Sequence, residues 1–188
     1  AGRSGEVGVV DPGPSQDIAR MSQMDDLKVL QGPESRVVLL SFDTARDELL
    51  YSSVEGANPF KDIRVRKAFY HAIDVEAIRS RIMRNGSIPT GTLLAASVNG
   101  YDDRLSERLP HDVEMAEALM EEAGYGDGFE VTMDCPNDRY VNDEAICQAV
   151  AAMLAQIDVK VNLLAQTRSL FFPKVLERDT SFYLHSWA

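Results

Sequence analysis

The order and spacing of apolar residues predict an α/β fold with a mixed, mainly parallel sheet flanked by helices. Three observations carry the prediction. A strand, a long amphipathic helix and an alternating strand follow one another between Phe129 and Leu163, which is the sequence form of a parallel crossover. The run Val37-Val38-Leu39-Leu40 has the composition of a strand buried on both faces, which predicts a central place in the sheet. Two amphipathic helices begin behind capping aspartates, Asp62 and Asp112.

In chain order, Glu6 to Val10 reads as a short strand that stops at Pro12 and Pro14, and Ser15 to Met24 as a helix carrying Ile18 and Met21. Lys28 to Leu30 and Arg36 to Phe42 read as strands. Asp43 to Phe60 loses all periodicity and ends at Pro59, so it reads as an ordered connection. Val65, Ala68, Phe69, Ala72 and Ile73 then form one stripe behind Asp62. Asp74 starts a second helix with Ala77, Ile78, Ile82 and Met83, which Asn85-Gly86 ends.

Ser87 to Pro110, with Pro89, Gly91 and Asn99-Gly100, predicts a long surface loop. Asp112 restarts a helix through Val113, Ala116, Leu119, Met120 and Ala123, and Gly124 supplies a left-handed stop. Phe129 to Met133 is a strand, Asn142 to Ile157 a helix and Val159 to Leu163 a strand. Thr167 to Glu177 is the last helix and Ser181 to Trp187 the last strand. A sequence that stops at Trp187-Ala188, inside a strand pattern, reads as cut from something longer.

The chain has 188 residues, enough for one core and too few for two, so residues 1–188 are read as a single α/β lobe. It carries 19 Lys plus Arg against 30 Asp plus Glu, a net charge of −11 with no basic patch, which argues against nucleic acid as a partner. The longest apolar runs fall short of the roughly 20 residues of a membrane span. Glu114, Glu117, Glu121 and Glu122 form an acidic helix face whose reading is solvation.

No serine-nucleophile elbow, phosphate loop, dinucleotide fingerprint or HExxH pair occurs. His71, His111 and His185 are not spaced as joint metal ligands. For Cys135 and Cys147 two readings stay open: one disulfide formed in an oxidising compartment, or two small buried apolar side chains.

Two places attract a binding reading. Tyr183, His185 and Trp187 alternate on one face of the last strand and present polar-edged rings, while Phe182 and Leu184 supply the opposite, apolar face. A ligand cleft and core packing are both compatible with that pattern. Asn137, Arg139 and Tyr140 lie between a strand's end and a helix's start, where open α/β sheets place ligands and helix N–H groups attract anions. There Arg139 would bind a carboxylate, or merely pair with Asp138 or Asp143. An enzymatic alternative uses the same loop, with Asp138 as base and Arg139 as anion clamp.

The segment Asn58-Pro59-Phe60-Lys61-Asp62-Ile63-Arg64-Val65-Arg66-Lys67-Ala68, followed by Ala72-Ile73-Asp74, resembles the N-P-F-x-D-x-R-V-R-x-A…A-I-D signature of the extracellular solute-binding proteins of family 5, the peptide and dipeptide group of ABC transporters. Ala123-Gly124-Tyr125 with Gly128-Phe129, and the strand ending in Trp187, are similar to further stretches of that family in the same order. Asp158 stands where the family usually has glycine, and Asp43 where Asn is common.

The resemblance implies one lobe, the C-terminal one, of a two-lobed type II periplasmic-binding-protein fold. It also implies a periplasmic, or extracellular and membrane-anchored, location. The function it implies is capture of an oligopeptide or dipeptide, without catalysis or cofactor, by closure against the missing lobe of the same polypeptide and delivery to a membrane permease. Other relatives take metal chelates, haem, opines or oligosaccharides, so a non-peptide solute is the family's own alternative. In peptide-binding relatives an aspartate shortly after the tryptophan pairs with the peptide amino group, and this sequence ends at Ala188 before reaching it. Asn137, Arg139, Tyr140, Tyr183, His185 and Trp187 are the expected ligand contacts.

Overall fold

The structure is a computed structural model that describes residues 8–10 and 17–188. Its organising element is the Asn58-Pro59-Phe60 turn. The Asn58 side chain donates to the carbonyls of Asp43 (2.9 Å) and Arg46 (3.0 Å) and accepts from the Phe60 N–H (2.9 Å). Those three bonds satisfy a nearly buried amide and drive Phe60 into the core at zero exposure. Asp62 follows and caps α2 (Ile63–Ala72) by accepting from the Arg64 N–H at 2.8 Å. Asp74 caps α3 (Val75–Ala77) through the Ala77 N–H, and Asp112 caps α4 (Val113–Ala123) through Met115.

Four strands, β1 (Val37–Phe42), β2 (Phe129–Pro136), β3 (Val159–Gln166) and β4 (Phe182–Trp187), form one sheet in the order β1-β4-β2-β3. β1 and β4 are antiparallel, with Val37 opposite Trp187 and Phe42 opposite Phe182. β2 and β3 are parallel from Phe129–Val159 to Pro136–Gln166. β2 meets β4 in parallel at a single pair, Asp134–Tyr183. Ahead of that pair another segment occupies the edge of β2. Ser52 bridges Val131, the Ser53 N–H donates to the Glu130 carbonyl and the Thr132 N–H to the Tyr51 carbonyl, both at 2.9 Å.

The helix α5 (Asp143–Leu154) carries the chain from β2 to β3, and α6 (Arg168–Leu176) carries it from β3 back to β4. Crossovers of one hand taken in opposite directions along a sheet lie on opposite faces. In accord with that rule, Cys147, Val150 and Leu154 of α5 join the core cluster with Val131, Met133 and Cys135. Lys174 of α6 instead reaches Asp134, whose side chain leaves the other face. The core face also gathers Phe42, Phe60, Phe69, Phe129 and Phe182, with ring centroids 4.6–6.2 Å apart.

Several sequence expectations need correction. The Val37–Leu40 run is an edge strand among the described residues, not a central one, and Val38 is 40% exposed. The strand that displaces it from the centre, β4, comes almost 150 residues later in the sequence, a pairing local pattern does not encode. Lys28 to Leu30 forms no strand: Leu30 is 80% exposed, and no partner strand is recorded for the segment. The helix expected over Ser15 to Met24 is one turn, α1 (Ile18–Met21), and Ser15 and Gln16 lie outside the described residues. Of the strand expected over Glu6 to Val10, Glu6 and Val7 lie outside them, and residues 8–10 are exposed and not in a strand. Beyond α3 the helix widens into a π turn over Ile78–Ile82, where the Met83 N–H donates to the Ile78 carbonyl.

The long loop over 87–110 holds, interrupted by one 3-10 turn at Asp103–Leu105. Gly124 ends α4 at φ 83°, as its position predicts. Asp158 is left-handed at φ 58°, and its backbone runs directly against Gly128. A Cβ on Gly128, itself at φ +69°, would fall 1.9 Å from the Asp158 carbonyl oxygen. Gly128→Ala is therefore expected to lower stability by about 3 kcal/mol, read from the urea midpoint at unchanged slope. A loss under about 0.5 kcal/mol would contradict the close approach.

Candidate functional site

The parallel strands end together: Pro136 of β2 is opposite Gln166 of β3, and the Asp134–Tyr183 pair brings the second half of β4 to the same end of the sheet. All six residues singled out from the sequence lie at this end. They form a rim in two halves, one on the loop after β2, where the half-buried Tyr140 packs against the core cluster, and one on β4.

The loop half is built around Asp143, a carboxylate only 4% exposed. Its Oδ2 accepts from the backbone N–H groups of Arg139 and Tyr140, each at 2.9 Å, and its Oδ1 from Glu144 at 3.0 Å. The Asn137 N–H donates to the Gln166 carbonyl at 3.0 Å and so fixes the start of the loop to the end of β3. Cys135 and Cys147 form a disulfide, which resolves the two open readings and closes the loop between β2 and α5. Both sulfur-bearing residues are fully buried.

Asp143 thus serves the loop backbone, not the Arg139 side chain. The Arg139 guanidinium lies 5.1 Å from the Tyr140 ring centroid, and among the described residues no carboxylate stands within ion-pair distance of it. Asp138, exposed, accepts from the Arg168 N–H at 2.6 Å and fills the N-terminus of α6. One N–H at each helix N-terminus beside the rim is thus taken by a carboxylate of the chain itself, Glu144 by Asp143 and Arg168 by Asp138. Among the described residues at this end, neither the Arg139 nor the exposed Arg168 guanidinium has an ion-pair partner.

On β4, Phe182 and Leu184 are buried in the core, and Tyr183, His185 and Trp187 emerge on the opposite face by the two-residue period. Tyr183 and His185 are half-buried with ring centroids 6.0 Å apart, and Trp187 is 59% exposed. The His185 Nδ1 is shielded from solvent and has no hydrogen-bond partner among the described residues. Burial holds the His185 pKa below the ordinary 6.5 of a histidine.

Sequence reasoning missed Asp134, one residue past the predicted end of the β2 strand. Its side chain is fully buried on the same face as Tyr183, and its carboxylate accepts from Lys174 Nζ (2.7 Å), Thr180 Oγ1 (2.5 Å) and Gln166 Nε2 (3.3 Å). Lys174 Nζ also lies 4.6 Å from the Tyr51 ring centroid. The Tyr51 hydroxyl donates to Asp179, a bond that raises its pKa. The strand alternates Phe129-Glu130-Val131-Thr132-Met133-Asp134, so the pattern puts Asp134 in phase with Glu130 and Thr132 on the polar face and carries no local signal of its burial.

A broad, open depression of about 600 Å³ lies between Tyr51, Thr132, Asn162, Leu164 and Lys174, and none of the six rim residues lines it. Among the described residues no group of three His, Cys, Asp or Glu side chains is arranged to hold a metal ion, and no helix is long and apolar enough to cross a membrane.

The His185 environment has a measurable consequence. A histidine with a depressed native pKa stabilises the fold fully above pH 6.5, and that contribution is lost as pH falls below 6.5 and the unfolded chain takes up the proton first. Between pH 7.5 and 5.5 the urea midpoint of His185→Gln is expected to fall less than that of the parent chain. Parallel decreases in both proteins would show that His185 is not shielded.

Residues 1–188 match the family "Bacterial extracellular solute-binding proteins, family 5 Middle". The chain is 24% identical over 179 residues to the dipeptide-binding protein of Escherichia coli, covering 94% of this chain and 31% of that protein. It is 23% identical over 175 residues to heme-binding protein A of Haemophilus influenzae, covering 92% and 30%. Among solved structures, the periplasmic binding protein DppA of Helicobacter pylori in complex with the peptide STSA superposes with a TM-score of 0.82 at 18% identity, over 98% of this chain and 33% of that one. HbpA2 of Haemophilus parasuis superposes with a TM-score of 0.80 at 23% identity, over 99% and 35%. The chain thus spans about a third of the length of these relatives. The superpositions show the fold of the type II periplasmic binding proteins. With the signature turn at Asn58-Pro59-Phe60 placed at the centre of that fold, the chain belongs to the bacterial extracellular solute-binding proteins of family 5.

Proposed function

We propose that this chain is one lobe of a periplasmic or extracellular solute-binding protein that captures a peptide and presents it to the permease of an ABC importer. The observation that carries the reading is the rim itself. A guanidinium stacked on an aromatic ring, with no carboxylate partner among the described residues, shares one end of the sheet with three polar-edged rings on β4. Arg139 takes the solute carboxylate as a charge-assisted pair, Asn137 and the polar edges of Tyr183 and His185 hydrogen-bond its backbone, and Tyr140 and Trp187 offer flat apolar surface to side chains. None of these groups is a nucleophile paired with a base, and Asp138 is engaged by α6, so the proposed role is binding without chemistry.

Such a rim covers one side of a solute. The rest of the same polypeptide supplies the other side, and the free energy of contacts made on both sides drives closure, the state the membrane partner reads. The buried Cys135–Cys147 disulfide supports an oxidising compartment. A second reading keeps the mechanism and changes the solute to a non-peptide ligand. It is favoured by the match to heme-binding protein A over 92% of this chain.

The test is calorimetric titration of the full-length protein, and of the 188-residue chain alone, with di- and tripeptides and with haem. Peptide binding by the full-length protein is expected, weakened about 10- to 100-fold by Arg139→Gln, the loss of one charge-assisted contact. The chain alone is expected to bind at least about 100-fold more weakly, because half a cleft buries too little solute. Undiminished peptide binding by Arg139→Gln, or haem bound in place of peptides, overturns the peptide assignment. Equal affinity of the chain alone overturns the two-lobe mechanism.

A further inference from the structure

We propose that Asp134 is a positioning residue of the rim: through Gln166, Lys174 and Thr180 it fixes how Tyr183, His185 and Trp187 on β4 stand against Asn137, Arg139 and Tyr140 on the loop after β2. The proposal rests on reading those residues as the solute-contact surface. Its physical basis is the thin seam between the two halves. β2 is zipped to β3, and β4 to β1, over whole strands, but β2 and β4 share only the Asp134–Tyr183 pair. Ser52, at Val131, takes the edge ahead of that pair, and two residues beyond it β2 ends at Pro136, which has no N–H to donate. Backbone pairing alone leaves β4 with little to hold it to β2.

The fully buried carboxylate sits at that one pair. Its three donors come from three different places: Gln166 ends β3, Lys174 lies in α6, and Thr180 stands two residues before β4 begins. Each donor reaches one half of the rim by a short route. Gln166 is the residue whose carbonyl receives the Asn137 N–H, so the carboxylate is one residue removed from the anchor of the loop half. Thr180 and Ser181 are buried, and the Ser181 carbonyl receives the Asp43 N–H, so the same carboxylate sets the start of β4 and its registration with β1. Lys174 adds the Tyr51 ring, and Tyr51 belongs to the segment that holds the edge of β2 just ahead of the Asp134–Tyr183 pair. A buried ion pair is a poor source of net stability compared with apolar packing of the same volume, and its best-attested use is to specify one arrangement among several. Here the arrangement specified is the juxtaposition of the two rim halves.

The test uses no solute, so its failure leaves the binding reading standing, and a failed peptide titration leaves this result intact. Amide hydrogen exchange and acrylamide quenching of Trp187, the single tryptophan of the chain, are measured on the parent, Asp134→Asn and Lys174→Met. In both variants the amides of 182–187 and 137–140 are expected to exchange about tenfold faster while those of α2 and α4 keep their protection, and Trp187 quenching is expected to change. Should either single variant fail to fold, the double variant Asp134→Asn/Lys174→Met, which leaves no buried charge, is expected to fold and to show the same local loosening. Unchanged exchange at 182–187 in a folded variant, or an equal increase in α2 and α4, overturns the proposal.

Discussion

Everything at the working end of this chain depends on where Phe60 is put. The Asn58 side chain, by binding carbonyls of the preceding loop and the N–H of Phe60, sends one ring into contact with Phe42 of β1, Phe69 of α2, Phe129 of β2 and Phe182 of β4. Those strands come from both halves of the sheet. Burial of each ring stabilises by about 2–3 kcal/mol and each well-placed ring pair adds about 1 kcal/mol. The cluster therefore joins, on the dry face, two strand pairs whose own seam is one residue pair long.

The two faces of the sheet divide the work. The core face holds phenylalanines, Met120, Met133 and the aliphatic stripe of α5, and tolerates no unsatisfied group. The α6 face holds the buried Asp134 carboxylate paired with the half-buried Lys174, and β4 continues it toward solvent through Tyr183, His185 and Trp187. This division lets β4 anchor itself through Phe182 and Leu184 while its alternate side chains stay out of the core, and under the proposed function packing on one side and recognition on the other are separable along one strand.

Much of this was legible in the sequence, for local reasons. Asp62, Asp74, Asp112 and Gly124 announce their helix ends because caps are short-range chemistry, and all four sit where expected. The crossover from β2 through α5 to β3 was legible because its periods change from two to 3.6 and back. The edge position of β1 was not, since its neighbour β4 is supplied from the far end of the chain. Lys28 to Leu30 failed because apolar composition without a partner strand makes no strand. At the rim, alternation correctly put Tyr183, His185 and Trp187 on one face, and the position rule put the Asn137–Tyr140 segment at the strand ends. What could not be read was which partner each charge had chosen. Asp143 holds backbone and not Arg139, Asp138 caps α6, and Asp134 is buried among donors from elements 32 to 46 residues away.

The disulfide carries one more consequence. Cys135 and Cys147 flank the exposed Asn137-Asp138 stretch, the kind of accessible loop at which proteases cut. A peptide bond broken there would leave both pieces covalently tethered and packed on the same core. The nicked molecule would migrate as a single band on a gel until a reductant released its fragments.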